Sequence, residues 1–206
     1  MSKIQHIVFD VGLVLLHWNP ELVYLDRIPD PDSRRDFLDN VCSPQWNIEQ
    51  DRGRSWTEAE ALLIDEHPHH EDNIRAFRSH WIKSVPYAYL DVVDIYQNLI
   101  DKGYDVTLLT NFNQDTFVEA QAKYPFLDRA RSRTVSGLVQ LLKPDPEIYQ
   151  HHTQAHDLDP EHTVFIDDSE KNASGARQSG WQAIQFAGRE VAAKLHAALQ
   201  DVGVKF

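Results

Sequence analysis

The sequence predicts an α/β fold with a parallel sheet and an all-helical insert after the first strand. Short apolar runs of strand length alternate with segments of helical period in residues 4–16 and 86–206. This alternation is typical of right-handed strand-helix-strand crossovers. Residues 20–85 contain helical segments but no apolar run of strand length, which predicts the insert.

Four apolar runs predict buried parallel strands, because polar residues or glycine bound each of them. They span residues 4–9, 106–110, 163–167 and 182–186. Between them, residues 90–102 and 172–180 have helical patterns that end at or beside a glycine, as helices often do. The expected sheet therefore has helices on both faces.

The segment after the first strand predicts helices at residues 21–27, 33–41, 57–66 and 71–83. Proline-containing breaks, among them Ser43-Pro44, separate them. We therefore predict a core of residues 1–16 and 86–206, and a helical insert of residues 17–85 placed over the strand ends.

Composition restricts the class of partner. The 206 residues are 42% hydrophobic and 25% charged, which suits a globular core, and the net charge of -12 would repel nucleic acid. The N-terminal apolar run is too short for a signal peptide or a membrane span. The single Cys42 excludes an intramolecular disulfide. We expect a cytoplasmic protein with a small-molecule substrate and no nucleic-acid or membrane partner, and the sequence leaves its oligomeric state open.

Four short segments end in chemically useful side chains. They are Val8-Phe9-Asp10-Val11-Gly12, Leu108-Leu109-Thr110-Asn111, Lys143-Pro144 and Val164-Phe165-Ile166-Asp167-Asp168. Three are apolar runs that stop at a carboxylate or a hydroxyl, as buried parallel strands do where they deliver side chains into a shared crevice. Each segment alone also fits an ordinary turn, helix cap or loop. Their order and spacing together predict an active site.

In that order and spacing, the four segments resemble the haloacid dehalogenase-like hydrolase superfamily, over nearly the full chain. Asp10-Val11-Gly12, Asp51-Arg52-Gly53 and the stretch 164–176 are most similar to the glucose-1-phosphatase-like branch and the phosphatase domain of epoxide hydrolases. The resemblance implies a Rossmann-like three-layer core with a small helical cap. It also implies that Asp10 attacks phosphorus and forms an aspartyl phosphate.

The resemblance further implies a magnesium site. Asp10, Asp167 and the Gly12 carbonyl would bind the ion directly, and Asp168 would act through water or orient the ligands. Charge alone also predicts a cation, because the three aspartates gathered in one crevice would repel each other and a phosphate.

Lys143, Thr110 and Asn111 would bind the phosphoryl oxygens as negative charge develops on them. At Gly12 the chain departs from the many related phosphatases that carry a second aspartate there, acting as acid and base. That acid and base are therefore unassigned, with water and His17 as candidates.

The leading hypothesis is a magnesium-dependent phosphatase for a small phosphorylated metabolite such as a sugar phosphate. A 2-haloacid dehalogenase would use Asp10 on carbon without a metal, and such enzymes typically carry serines where this chain has Asp167-Asp168. A catalytically weak binding or regulatory module is a third hypothesis, which Gly12 keeps open.

Other residues receive simpler interpretations. His152 and His156 lie four residues apart, which predicts a solvated helix face in the absence of a zinc-protease glutamate between them. Trp18 or Trp46 could line a substrate pocket.

Overall fold

A parallel sheet forms the centre of the molecule. The computed structural model describes residues 4–206. Its strands are β1 (His6–Phe9), β2 (Asp105–Thr110), β3 (Ser132–Val135), β4 (Thr163–Asp167) and β5 (Gln182–Gln185). All pairs are parallel, and the order across the sheet is β3-β2-β1-β4-β5. The predicted α/β fold with a parallel sheet is confirmed.

The segment between β1 and residue 85 is built from helices and 3₁₀ turns. Its α-helices are α1 (Pro31–Asn40), α2 (Pro44–Asp51), α3 (Trp56–Glu66) and α4 (Glu71–Ser79), and 3₁₀ turns occupy Pro20–Val23, Pro68–His70 and Trp81–Ser84. The division into a core and a helical insert of residues 17–85 stays a prediction, and residues 1–3 of the predicted core lie outside the described residues.

Helix α2 is absent from the sequence prediction, which treats Ser43-Pro44 as a break. In the structure this pair begins the helix instead. The Ser43 hydroxyl accepts a hydrogen bond from the Trp46 N–H at 3.1 Å, and Pro44 occupies the first helical position. The predicted helix at residues 21–27 is a 3₁₀ turn of four residues followed by further turns.

The remaining helices cover the two faces of the sheet. They are α5 (Leu90–Asp101), α6 (Gln114–Lys123), α7 (Ser136–Val139), α8 (Pro146–Ala155), α9 (Glu170–Gln178) and α10 (Ala192–Asp201). On one face, the ring of Phe9 in β1 packs edge-on against Tyr96 of α5, with centroids 5.5 Å apart. On the other, Phe165 of β4 packs against Tyr149 of α8 at 6.1 Å. The result is a three-layer core, because successive strand residues point to opposite faces.

The edge strand β3 also lies outside the sequence prediction. Its residues, Ser-Arg-Thr-Val, contain no apolar run, and its first half is only partly buried at the edge of the sheet. None of the helices in residues 4–206 is long and apolar enough to cross a membrane.

Candidate active site

The three central strands end in the predicted site residues. Asp10 directly follows β1, Thr110 ends β2 and Asp167 ends β4. Strand β1 is hydrogen bonded to β2 on one side and to β4 on the other, which brings the three side chains to the same edge of the sheet. Ligands of open parallel sheets usually bind in the crevice beyond these carboxyl ends.

Lys143 joins two of the carboxylates. Its Nζ lies 2.9 Å from Asp10 Oδ1 and 2.7 Å from Asp167 Oδ2, and its side chain is 1% exposed. Asn111 fixes the backbone of the lysine: its Oδ1 accepts from the Lys143 N–H at 2.9 Å, and its Nδ2 donates to the Lys143 carbonyl at 3.0 Å. The side chain of Asn111 therefore positions Lys143.

Asp167 is fully buried and held by several donors. Its Oδ1 accepts hydrogen bonds from the Ser169 N–H at 2.8 Å and from Asn172 Nδ2 at 3.0 Å, while Lys143 binds Oδ2. A buried carboxylate needs such partners, and here they also fix its orientation. From the sequence, Asn172 is predicted only to begin a helix, and its contact with Asp167 is seen in the structure.

Asp10, Asp167 and Asp168 form an acidic triplet that fits a metal ion. One carboxylate oxygen of each lies within 4.8 Å of those of the other two, and residues 4–206 contain no second group of this kind. Hard oxygen donors are the ligands that magnesium prefers. When all three aspartates are ionised, they and Lys143 together have a net charge of -2. One divalent cation would neutralise this charge.

Burial sets the protonation of this group when no cation is bound. It raises the pKa of Asp10 to about 7, and the charge of Lys143 opposes this rise while that of Asp167 adds to it. Burial alone would lower the pKa of Lys143, but the charges of Asp10 and Asp167 outweigh burial and raise it. Lys143 is therefore a cation, and a bound divalent ion would favour the ionised form of Asp10.

Thr110 has an unpartnered hydroxyl at this strand edge. The residue is 1% exposed, and its Oγ1 makes no hydrogen bond with the described part of the chain. A buried polar group without a partner costs about 1–3 kcal/mol. This hydroxyl is therefore available to donate to a ligand oxygen beside Asp10.

Gly12 leaves room for a side chain, since an added Cβ would meet no atom within 4 Å and φ lies outside the left-handed region. We expect Gly12→Asp to keep its thermal midpoint within about 3 °C of wild type when magnesium offsets the added charge. Calorimetry checks this. Gly53→Asp is the matched control and should melt much earlier, because Gly53 has a φ of +109° and its Cβ would lie 2.9 Å from the Gly137 carbonyl oxygen. Equal losses in both variants would contradict the prediction.

A cavity of about 270 Å³ borders Asp10 and Gly12. Most of its lining is apolar and includes Trp18, Trp56 and Trp81, together with leucine, isoleucine, valine, proline and phenylalanine side chains. Residues from both the helical insert and the strand ends contribute to it. Any molecule that reaches Asp10 through this cavity therefore meets a mainly apolar wall.

The end of α2 brings Asp51 into the same cavity. Ser136 Oγ donates to the Asp51 carbonyl at 2.5 Å and so ties the insert to the core. The turn that follows depends on Gly53, whose positive φ and close approach to Gly137 both exclude a side chain. Asp51 and Gly53 thus both contact the segment around Ser136 and Gly137. From the sequence, Asp51 belongs to a segment that resembles the family, but no catalytic role is predicted for it.

His17, a candidate acid and base, and Trp46, a candidate pocket residue, do not line this cavity. His17 stacks on Tyr87, and its Nδ1 lies 2.9 Å from the Tyr89 hydroxyl, beside a separate cavity. Trp46 packs edge-on against Trp56 inside the insert, at 6.0 Å between centroids. Trp18 is the member of the predicted pair that lines the cavity.

The expectation of a solvated face at His152 is wrong. The residue is fully buried, and its ring nitrogens lie 2.9 Å from Thr107 Oγ1 and 2.8 Å from Thr134 Oγ1. Burial lowers its pKa well below the ordinary value. Threonine hydroxyls on the neighbouring strands satisfy both nitrogens, which allows a polar side chain to be buried there.

Comparison with known proteins identifies the family. Residues 28–180, about three quarters of the chain, match the haloacid dehalogenase-like hydrolases. The chain belongs to this family. A curated relative, (S)-2-haloacid dehalogenase 4A of Burkholderia cepacia, is 29% identical over 100 residues, which span 48% of this chain and 43% of the relative. The hydrolase thus matches less than half the length of that dehalogenase.

Solved structures of similar fold include both phosphate-bound and haloacid-bound proteins. A haloacid dehalogenase-like family enzyme from Bacteroides thetaiotaomicron, in complex with magnesium and inorganic phosphate, has a TM-score of 0.73 at 22% identity, covering 94% of this chain and 99% of that one. L-2-haloacid dehalogenase from Xanthobacter autotrophicus, with chloropropionic acid covalently bound, has a TM-score of 0.63 at 16% identity, covering 97% and 83%. At these identities the likeness concerns the fold.

Proposed function

We propose that this hydrolase is a magnesium-dependent phosphomonoesterase that works through Asp10. The observation that supports this most is the acidic triplet beside buried Lys143 and the unpartnered Thr110 hydroxyl. A phosphoryl group requires a nucleophile, positive charge and hydrogen-bond donors in one crevice. The magnesium and phosphate bound to the Bacteroides enzyme of similar fold add support.

In this proposal Asp10 is the nucleophile. An ion pair with Lys143 Nζ at 2.9 Å and a hydrogen bond from the Val11 N–H at 2.7 Å hold its Oδ1 and orient the carboxylate. Its attack breaks the bond between phosphorus and the ester oxygen and forms an aspartyl phosphate. Water then attacks phosphorus and restores the carboxylate. Lys143 and Thr110 bind the phosphoryl oxygens as charge accumulates on them.

Asp10, Asp167 and the Gly12 carbonyl would hold the magnesium ion, and Asp168 would orient its ligands or act through water. When bound, the ion supplies charge neutralisation to the carboxylates and the phosphoryl oxygens. Ser169 and Asn172 keep Asp167 oriented for this role.

The organic part of the substrate is expected to be apolar. An apolar cavity of roughly 150 Å³ holds one benzene molecule, so the cavity of about 270 Å³ beside Asp10 has room for a ring and a phosphoryl group. The several hydroxyls of a sugar would lose hydrogen bonds to water against the tryptophan-rich lining. The lining therefore favours an aromatic or alkyl phosphate over a sugar phosphate.

A substrate panel tests both the function and the cavity. With magnesium, we expect kcat/KM for benzyl phosphate to exceed that for glucose 6-phosphate by about tenfold or more, from the apolar area buried and the hydroxyls left unpaired. Preference for the sugar phosphate would contradict the assignment of the organic group. No hydrolysis of any phosphate ester would contradict the phosphomonoesterase and favour a binding or regulatory module.

A 2-haloacid dehalogenase is the second candidate, supported by the similarity to the Burkholderia cepacia dehalogenase and by the apolar cavity. The negative charge of the acidic triplet disfavours this candidate. Without a cation, the acidic triplet would have to face the carboxylate of the haloacid with Lys143 as its buried counterion.

A further inference from the structure

Cleavage of an alkyl phosphate requires a proton for the departing oxygen, because an alkoxide is a poor leaving group. Gly12 offers no side chain for this purpose. A side chain that faces the same cavity is then the candidate proton donor, beside water.

Among the side chains that line the cavity, Asp51 is the candidate proton donor. Asp10 and Asp51 are the ionisable side chains among the described residues that line the cavity. Asp10 is engaged in attack on phosphorus. The hydroxyl of Thr116 donates to the Asn113 carbonyl at 3.2 Å, and His17 lines a different cavity.

The position of Asp51 suits a proton donor. In-line displacement places the leaving oxygen on the side of phosphorus away from the nucleophile. Asp10 comes from the end of β1, whereas Asp51 comes from the end of α2, and both line the cavity. The bond from Ser136 Oγ to the Asp51 carbonyl fixes this end of the helix on the core.

The surroundings of Asp51 leave its carboxyl group available. Asn47 Nδ2 lies 3.4 Å from Oδ2, at the long limit of a hydrogen bond. Burial raises the pKa of Asp51 to about 7; the Asn113 N–H opposes this rise and the charge of Asp10 adds to it. A carboxyl whose pKa lies near neutrality can give up a proton in one step and take one back in the next, as a general acid and base must.

We propose that Asp51 is the catalytic acid and base of the phosphomonoesterase reaction, and this inference rests on the function proposed above. As Asp10 bonds to phosphorus, the electron pair of the breaking ester bond passes to the ester oxygen, which takes the Asp51 proton and leaves as the alcohol. Water then attacks the aspartyl phosphate and gives a proton to the Asp51 carboxylate. The bond from phosphorus to Asp10 breaks, inorganic phosphate forms, and both aspartates regain their starting states.

Two esters of similar size separate this role from a structural one. The leaving group of benzyl phosphate needs a proton, whereas that of 4-nitrophenyl phosphate is a stable anion without one. We expect Asp51→Asn to lower kcat/KM for benzyl phosphate on the order of 10²- to 10⁴-fold, and for 4-nitrophenyl phosphate by less than about tenfold. Because kcat/KM extends only to the first irreversible step, it reports formation of the aspartyl phosphate.

Glu49→Gln is the matched control. It removes a carboxylate from the same helix at a half-exposed position outside the cavity lining, so both esters should react as in wild type. Asp51→Ser is measured beside Asp51→Asn, and thermal melting identifies any variant that is unfolded. Equal losses for both esters in a folded variant, or no loss for either, would overturn the role of Asp51. Failure of the wild type on both esters would instead overturn the phosphomonoesterase and this role with it.

Discussion

Replacing Asp10 by Asn is expected to abolish phosphate ester hydrolysis, lowering kcat on the order of 10³-fold or more. The amide cannot form the aspartyl phosphate, yet it has the same shape as the carboxylate. Its oxygen can still contact Lys143 Nζ and accept the hydrogen bond that the Val11 N–H donates to Asp10 Oδ1. We therefore expect the fold to persist, as checked by thermal melting beside steady-state hydrolysis of benzyl phosphate with magnesium.

Asp94→Asn makes the same chemical change at an exposed position in α5 and should leave turnover unchanged. If Asp10→Asn retains turnover within about tenfold of wild type, Asp10 is not the nucleophile. If turnover and the melting transition disappear together, the loss reflects unfolding. Rapid acid quench of the wild-type chain, followed by identification of the phosphorylated peptide, then decides whether Asp10 carries the phosphoryl group.

Removal of magnesium is expected to produce the second large effect. We expect EDTA to silence hydrolysis of small phosphate monoesters, and added magnesium to restore it in the low-millimolar range or below. The physical reason is that the acidic triplet and a phosphate dianion repel each other, and Lys143 neutralises only part of this charge. Activity measured against magnesium concentration checks this directly.

Asp167→Asn tests the metal site itself by calorimetric titration with magnesium. We expect its affinity to fall on the order of 10²-fold, while Asp94→Asn binds magnesium as wild type does. Unchanged affinity in Asp167→Asn would remove this residue from the metal site. Chloride release from 2-chloropropionate in EDTA, without hydrolysis of any phosphate ester, would replace the phosphatase by the dehalogenase.

Most of the core can be predicted from local sequence. The apolar runs of β1, β2 and β4 are strongly marked because both faces of these strands are buried, and β4 has its predicted bounds, Thr163–Asp167. The edge strand β3 carries no such mark, since it is partly exposed and polar. In the insert, α2 is missed because a serine-proline pair serves both as a loop signal and as a helix start.

In the candidate site, too, some residues can be predicted from the sequence and others only from the structure. Asp10, Thr110 and Asp167 can be named from sequence, because the chemistry of a parallel sheet concentrates where buried runs stop. Their catalytic roles stay predictions. The hydrogen bond of Asn172 to Asp167 and the two hydrogen bonds between Asn111 and Lys143 cannot be predicted from sequence patterns. Each depends on the relative placement of separate loops.

By itself, the sequence determined the fold class, the strand ends and the family of hydrolases, because these depend on short periodic runs and their order along the chain. Only the tertiary structure decided what surrounds Asp10. The apolar cavity and the position of Asp51 arise where the insert meets the core, through contacts such as that of Asp51 with Ser136, which lie 85 residues apart. Contacts at such distances follow from packing of whole elements, and no local pattern encodes them.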